Sequence, residues 1–255
     1  MAEQLRKIPL TAEFMKNKKV YDRVWGILQL NSYIGNDIEG NKHRFIYAKE
    51  IKNFSNFYLK VNTTIYDYTT EKEKEYFSYN TCKNCFELLK SMNYITKGTI
   101  IDKRHKLVEV YYLKEDFTPY KMIPYNLLEY LMSIKQPNVL KIYTILLNWY
   151  EYKPYTYTFT LEQLSNAIGY TSKQQNKNID QTLKYFKNCN LISYHKEKIT
   201  NPVGQDYYNY FLDKVIRCVP GVSEIQPKPQ YEYHSLEEIK NLLAPSESNT
   251  NGFVF

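Results

Sequence analysis

Thr160-Leu161-Glu162-Gln163-Leu164-Ser165-Asn166-Ala167-Ile168-Gly169 opens the stretch, Thr160 to Lys214, whose reading decides the fold of the whole chain. Thr160 stands where a helix cap belongs, Gln163 three residues on completes a capping box, and Gly169 ends the helix. Leu161, Leu164 and Ile168 share one face. Ser172 caps a second, longer helix from Lys173 to Cys189, in which Ile179, Leu183 and Phe186 recur at helical spacing and turn inward together. Gln174, Lys177, Asn178 and Gln181 fall on the opposite side, with Lys173 at the helix start. Amides and an ammonium with no apolar residue among them suit the base edges and phosphates of a duplex. Leu191 to Ile199 and Tyr207 to Val215 then form a hairpin around the turn-rich Asn201-Pro202-Val203-Gly204-Gln205-Asp206. Helix, turn, longer helix and hairpin make a winged helix. An ordinary solvated helix would carry the same outer residue types, and it is the flanking helix and hairpin that favour the DNA reading.

The first half of the chain repeats this order. Val24-Trp25-Gly26-Ile27-Leu28 lies over Ile142-Tyr143-Thr144-Ile145-Leu146, and Lys90-Ser91-Met92-Asn93-Tyr94-Ile95 lies over Lys187-Asn188-Cys189-Asn190-Leu191-Ile192. Arg6-Lys7-Ile8-Pro9-Leu10 and Tyr120-Lys121-Met122-Ile123-Pro124-Tyr125 open the two halves, each with a proline suited to a first helical position. Lys52 to Phe77 has no second-half counterpart and reads as an insertion. Asn80 to Met92 is the first half's equivalent of the long helix: Cys82, Cys85, Phe86, Leu89 and Met92 face inward, while Asn80, Lys83, Asn84 and Glu87 face outward. Its hairpin, Tyr94 to Ile101 and Leu107 to Leu113, carries Lys103, Arg104 and Lys106 at a tip placed to grip phosphates or reach a minor groove. Lys196 and Lys198 would do the same near the second hairpin. The expected fold class is therefore α+β, mostly helical, with two tandem winged-helix domains, 1–116 and 117–219. A proline-rich tail, 220–255, holds a short amphipathic helix over His234 to Leu243.

A chain of 255 residues has ample core for this without disulfides, and its net charge of +7 is compatible with a polyanionic partner. Twenty-seven tyrosines fit an AT-rich coding bias as well as any mechanism. The four cysteines form no dense framework and the N-terminus has no long apolar run, so a reducing cytoplasm is expected. Val139 to Trp149, the most apolar run, is far short of the roughly 20 residues of a membrane span. Cys82-Lys83-Asn84-Cys85 lacks two further zinc ligands, and its helical spacing makes both thiols core residues. The four histidines are scattered, with no H-E-x-x-H and no H-x-H, and no glycine-rich phosphate loop occurs. No cofactor, metal or enzymatic activity is expected.

Ile123-Pro124-Tyr125, the Val139 helix, Thr160-Leu161-x-x-Leu164 and Leu183-Lys184-x-Phe186-x-x-Cys189-Asn190-Leu191-Ile192 together resemble replication initiator proteins of plasmids and phages, over about residues 5 to 217. The resemblance implies binding of repeated origin sequences, self-repression, a monomer–dimer balance and contact with host replication proteins. A transcriptional regulator of a mobile element would need the same groove contacts. A scaffold binding protein rather than DNA is the alternative of a different class.

Overall fold

The computed structural model describes residues 5–17, 21–52, 64–67, 72–75, 79–102, 104–134, 136–152, 157–170 and 173–220. The chain divides into two compact units, Met1–Val222 and Ser223–Phe255. The tail helix expected over His234 to Leu243 lies outside the described residues.

In chain order the elements are β1 (Leu5–Pro9), α1 (Ala12–Met15), α2 (Tyr21–Leu30), β2 (Tyr33–Asn36), β3 (Lys42–Tyr47) and α3 (Ala48–Lys52). Within the expected insertion, β4 (Thr64–Asp67) pairs antiparallel with β5 (Lys72–Glu75). Then come α4 (Tyr79–Ser91), β6 (Ile95–Ile101), β7 (Leu107–Leu113), β8 (Tyr120–Pro124), α5 (Tyr125–Ser133) and α6 (Val139–Tyr152). The chain continues through β9 (Tyr157–Phe159), α7 (Leu161–Ala167), α8 (Lys173–Asn188), β10 (Ile192–Thr200) and β11 (Asp206–Val215).

The expectation of a mostly helical chain of two tandem winged-helix domains is corrected. About 41% of the structure is helix and 33% is strand, and no winged-helix domain is shown. The strands are antiparallel throughout, in the orders β1-β8, β10-β11-β9, β2-β3-β7-β6 and β4-β5. A local hairpin pattern reveals only its own two strands. The pairing of β3 with β7, Arg44 opposite Leu113 through Tyr47 opposite Val110, joins segments far apart in sequence and has no local signature. The two opening segments, whose prolines suited helix starts, are likewise strands. They pair with each other, Leu5 opposite Pro124 through Pro9 opposite Tyr120. Pro124 then caps α5, and α1 starts after Thr11, whose hydroxyl accepts from Phe14 N.

Both halves contribute to one contiguous core. Trp25 meets Phe14, Tyr94 and Phe117 at centroid distances of 6.3, 5.7 and 6.1 Å, and Ile8 and Ile123 are fully buried. Buried cations serve as crosslinks to carbonyls. Arg23 on α2 donates to Met132 O at 2.6 Å and Ile134 O at 2.5 Å, which occupies carbonyls that the end of α5 leaves without helical partners. Arg6 Nε donates to Gln29 O at 2.9 Å, and the fully buried Lys141 ammonium donates to Asn17 O. Burial lowers the Lys141 pKa, and Asp22 pulls the other way. At Gly169 the backbone is left-handed, with φ +80, and a Cβ would overlap the Lys16 carbonyl, so only glycine lets α7 end against that segment.

Candidate nucleic-acid interface

The long helix of the second half forms because its apolar residues fall on one side: Ile179, Leu183 and Phe186 are buried, as is Thr182, whose hydroxyl donates back to Asn178 O at 3.0 Å. Lys177, Asn178 and Gln181 consequently stand exposed on the other side of α8. Lys173 and Gln174 belong to the same helix, but their side chains lie outside the described residues. In front of α8, the capping box of α7 is formed: Thr160 Oγ1 accepts from Gln163 N at 3.1 Å, and Gln163 Oε1 accepts from Thr160 N at 2.9 Å.

In the first half Asn80, Lys83 and Asn84 are exposed on α4, while Cys82, Cys85, Phe86 and Leu89 are buried. Glu87 shares the outer row and pairs with Lys90 at 2.8 Å. The loop between β6 and β7 is braced from within. Asp102 Oδ1 accepts from Arg104 N at 2.8 Å and Lys106 N at 2.9 Å, and Asp102 N donates to Lys106 O. These backbone hydrogen bonds, that from Lys106 first, hold the Asp102 carboxyl below its ordinary range against a smaller effect of burial. Arg104 and Lys106 are exposed on this loop, and their charges add a smaller pull on the Asp102 carboxyl. Lys103 lies outside the described residues.

The structure changes the picture at Lys196 and Lys198. Asp180, on the border between the two sides of α8, accepts from Lys196 Nζ at 2.8 Å, from Lys184 Nζ at 2.8 Å and from the Tyr210 hydroxyl at 2.8 Å. Lys196 also lies over the Tyr210 ring, 4.5 Å from its centroid. Burial works against the Asp180 charge, but the hydrogen bonds from Lys184, Lys196 and Tyr210 outweigh it and pull the carboxyl down to about 2. Burial and Asp180 together push the Tyr210 hydroxyl pKa up. Lys198 pairs with Asp206 at 2.5 Å, and Thr200 donates to the same carboxylate at 2.7 Å. Neither lysine predicted to grip phosphate is therefore an unengaged cation. Sequence spacing could place both on the hairpin, but not show that a helix aspartate and a strand aspartate would meet them.

Sequence reasoning also passed over an open groove of about 610 Å³ between α7, α8 and β11, walled by Leu161, Asn166, Asn176, Tyr207 and Tyr208. Tyr207 and Tyr208 are 40% and 54% exposed. Their place in the aromatic run along β11 was readable, but the abundance of tyrosine in the chain masked it. Glu162 and Asp206 also border the groove, which makes it a poor seat for phosphate.

No group of three or more histidine, cysteine or acidic residues that could hold a metal ion occurs among the described residues. Cys82 and Cys85 are in no disulfide and have zero exposure, and burial, with Cys85 adding to it, pushes the Cys82 thiol up to about 12. Such a thiol is protonated near neutral pH and so a poor nucleophile. Among the described residues no helix is long and apolar enough to cross a membrane.

No known protein family, curated protein or solved structure matches this chain.

Proposed function

We propose that this chain binds double-stranded DNA sequence-specifically and acts by binding rather than by catalysis, with the particular role of starting replication at repeated origin sites of a plasmid or phage. The observation that carries the reading is the pair of outward rows, Asn80, Lys83 and Asn84 on α4 and Lys177, Asn178 and Gln181 on α8. Each helix is followed at once by a hairpin, and both are held on one core. An α-helix fits the major groove, where asparagine and glutamine pair with adenine edges and lysine with guanine or phosphate. Arg104 and Lys106, on a loop braced by Asp102, supply contacts that do not depend on sequence. The role at an origin rests on the resemblance to replication initiators, which also implies a monomer–dimer balance and contact with host replication proteins.

Selection from a random-sequence duplex library tests the DNA reading. Enrichment of one motif, with affinity falling steeply as salt rises, is expected. Loss of a plasmid whose only origin sits beside the gene, when the gene is deleted, tests the finer role. Enrichment of no sequence would overturn the first, and retention of the plasmid the second.

A further inference from the structure

Four aliphatic side chains stand in water at one end of the four-stranded sheet: Ile34, Ile38, Ile101 and Leu107, with exposures of 48%, 63%, 47% and 69%. Register puts Ile34, Ile101 and Leu107 on one surface. Ile101 is directly opposite Leu107 across β6 and β7. Asp37 bridges Ile100, which sets Asn36 beside Ile101 and carries β2 across to β6. Ile100 is buried with Phe45 and Val110 on the inner side, and alternation along each strand turns Ile101, Leu107 and Ile34 to the outer one, with Ile38 exposed in the turn that follows β2. Contiguous exposed apolar surface of this kind marks a binding site more often than a solvated face.

Its surroundings select the occupant. Arg104 and Lys106 are exposed in the loop that joins Ile101 to Leu107. Lys97 lies in the same outer row of β6, and Lys42, opposite Asn36, in that of β3. Of the nearby carboxylates, Asp102 is engaged by the loop's own N–H groups, Asp37 by His43 and Asn41, and Glu39 by Asn41; Glu109 lies on the outer row of β7. An aliphatic end ringed by cations on a projecting hairpin is complementary to a polyanion that has an apolar interior. Two paired strands about 4.8 Å apart, with their side chains, are wider than the minor groove of roughly 6 Å. Entry therefore has to open the groove.

Resting on the DNA-binding reading above, we propose that this end of the sheet is a wedge: Leu107 and Ile101 enter the minor groove, part a base step and bend the duplex, while Arg104 and Lys106 hold the flanking phosphates. Aliphatic wedges of this kind bend DNA by about 20–90° toward the major groove. Hydrogen bonds to Asp102 close the turn, and the Asp37–Ile100 bridge ties β2 to β6 behind it.

The test uses the full chain and a duplex of about 30 base pairs that contains the selected motif, carrying a donor dye and an acceptor dye at its two ends. Saturating wild-type protein is expected to raise energy transfer. The double variant Leu107→Ser with Ile101→Ser, altered at exposed positions and checked for an unchanged melting temperature, is expected to bind within about fivefold of wild type while transfer returns to that of free duplex. Arg104→Ala with Lys106→Ala should do the reverse, weakening binding but bending fully at saturation. Equal transfer with wild type and the serine variant overturns the wedge. A serine variant that bends normally but turns a dimer into a monomer by light scattering assigns the patch to a second copy instead. Wild-type binding without bending overturns the wedge alone, and wild type binding no duplex overturns the DNA reading with it.

Discussion

Asp180 receives two ammonium groups and a phenol at once, and its carboxyl is consequently held near 2. An acid whose folded pKa lies below its unfolded value of about 3.9 stabilises the fold above pH 4 and loses that effect as pH falls toward 2. Thermal melts of wild type from pH 6 to 2 should fall through that window. Asp180→Asn should start lower at pH 6 and fall less, so that the two curves converge near pH 2; parallel curves would show that Asp180 contributes no such linkage. Under the proposed function, Gln181→Ala and Arg104→Ala should part in kind. The first removes a base-reading amide and should cost about 1–3 kcal/mol on the selected sequence and little on random duplex. The second removes a phosphate contact and should weaken both alike, reducing the salt slope by about one. Binding titrations at three salt concentrations separate these outcomes.

At the scale of elements, the capping box is a local device with a local consequence. Thr160→Ala leaves Gln163 N without its acceptor and should cost about 1 kcal/mol, which for a chain of this size lowers the melting temperature by about 2–4 °C. No change in the melt would mean that α7 is held by its buried Leu164 alone. The same helix was legible in advance because capping residues, an apolar stripe and a terminal glycine all lie within ten consecutive positions. The inward and outward sides of α4 and α8 were legible for the same reason. What the hairpins become was not. The β10–β11 hairpin adds β9, with Phe159 opposite Tyr210, and the β6–β7 hairpin is completed by β2 and β3. Neither addition follows from alternation within the hairpin itself.

Over the whole of Met1–Val222, the first strand closes the molecule on itself. β1 pairs with β8, Arg23 of the first half satisfies carbonyls of the second, and Gly169 ends α7 against the backbone at Lys16. Neither half buries its apolar surface without the other, so unfolding by denaturant should be a single transition by both tryptophan fluorescence and circular dichroism. Residues 1–116 and 117–222, expressed separately, should show molten or unfolded spectra. Two cooperative, independently folding fragments would contradict the shared core.

The residues alone determined that α2, α4, α6, α7 and α8 are helices, where α7 begins and ends, and which sides of α4 and α8 are buried, because caps and periodicity act within one or two turns of chain. Tertiary structure alone decided that the two proline-bearing openings pair as strands, that β3 meets β7, and that Lys196 and Lys198 are paired with Asp180 and Asp206. Periodicity says which face of an element is hidden, but the partner that hides it is chosen by closing long loops over a common core, a step to which distant residues contribute together.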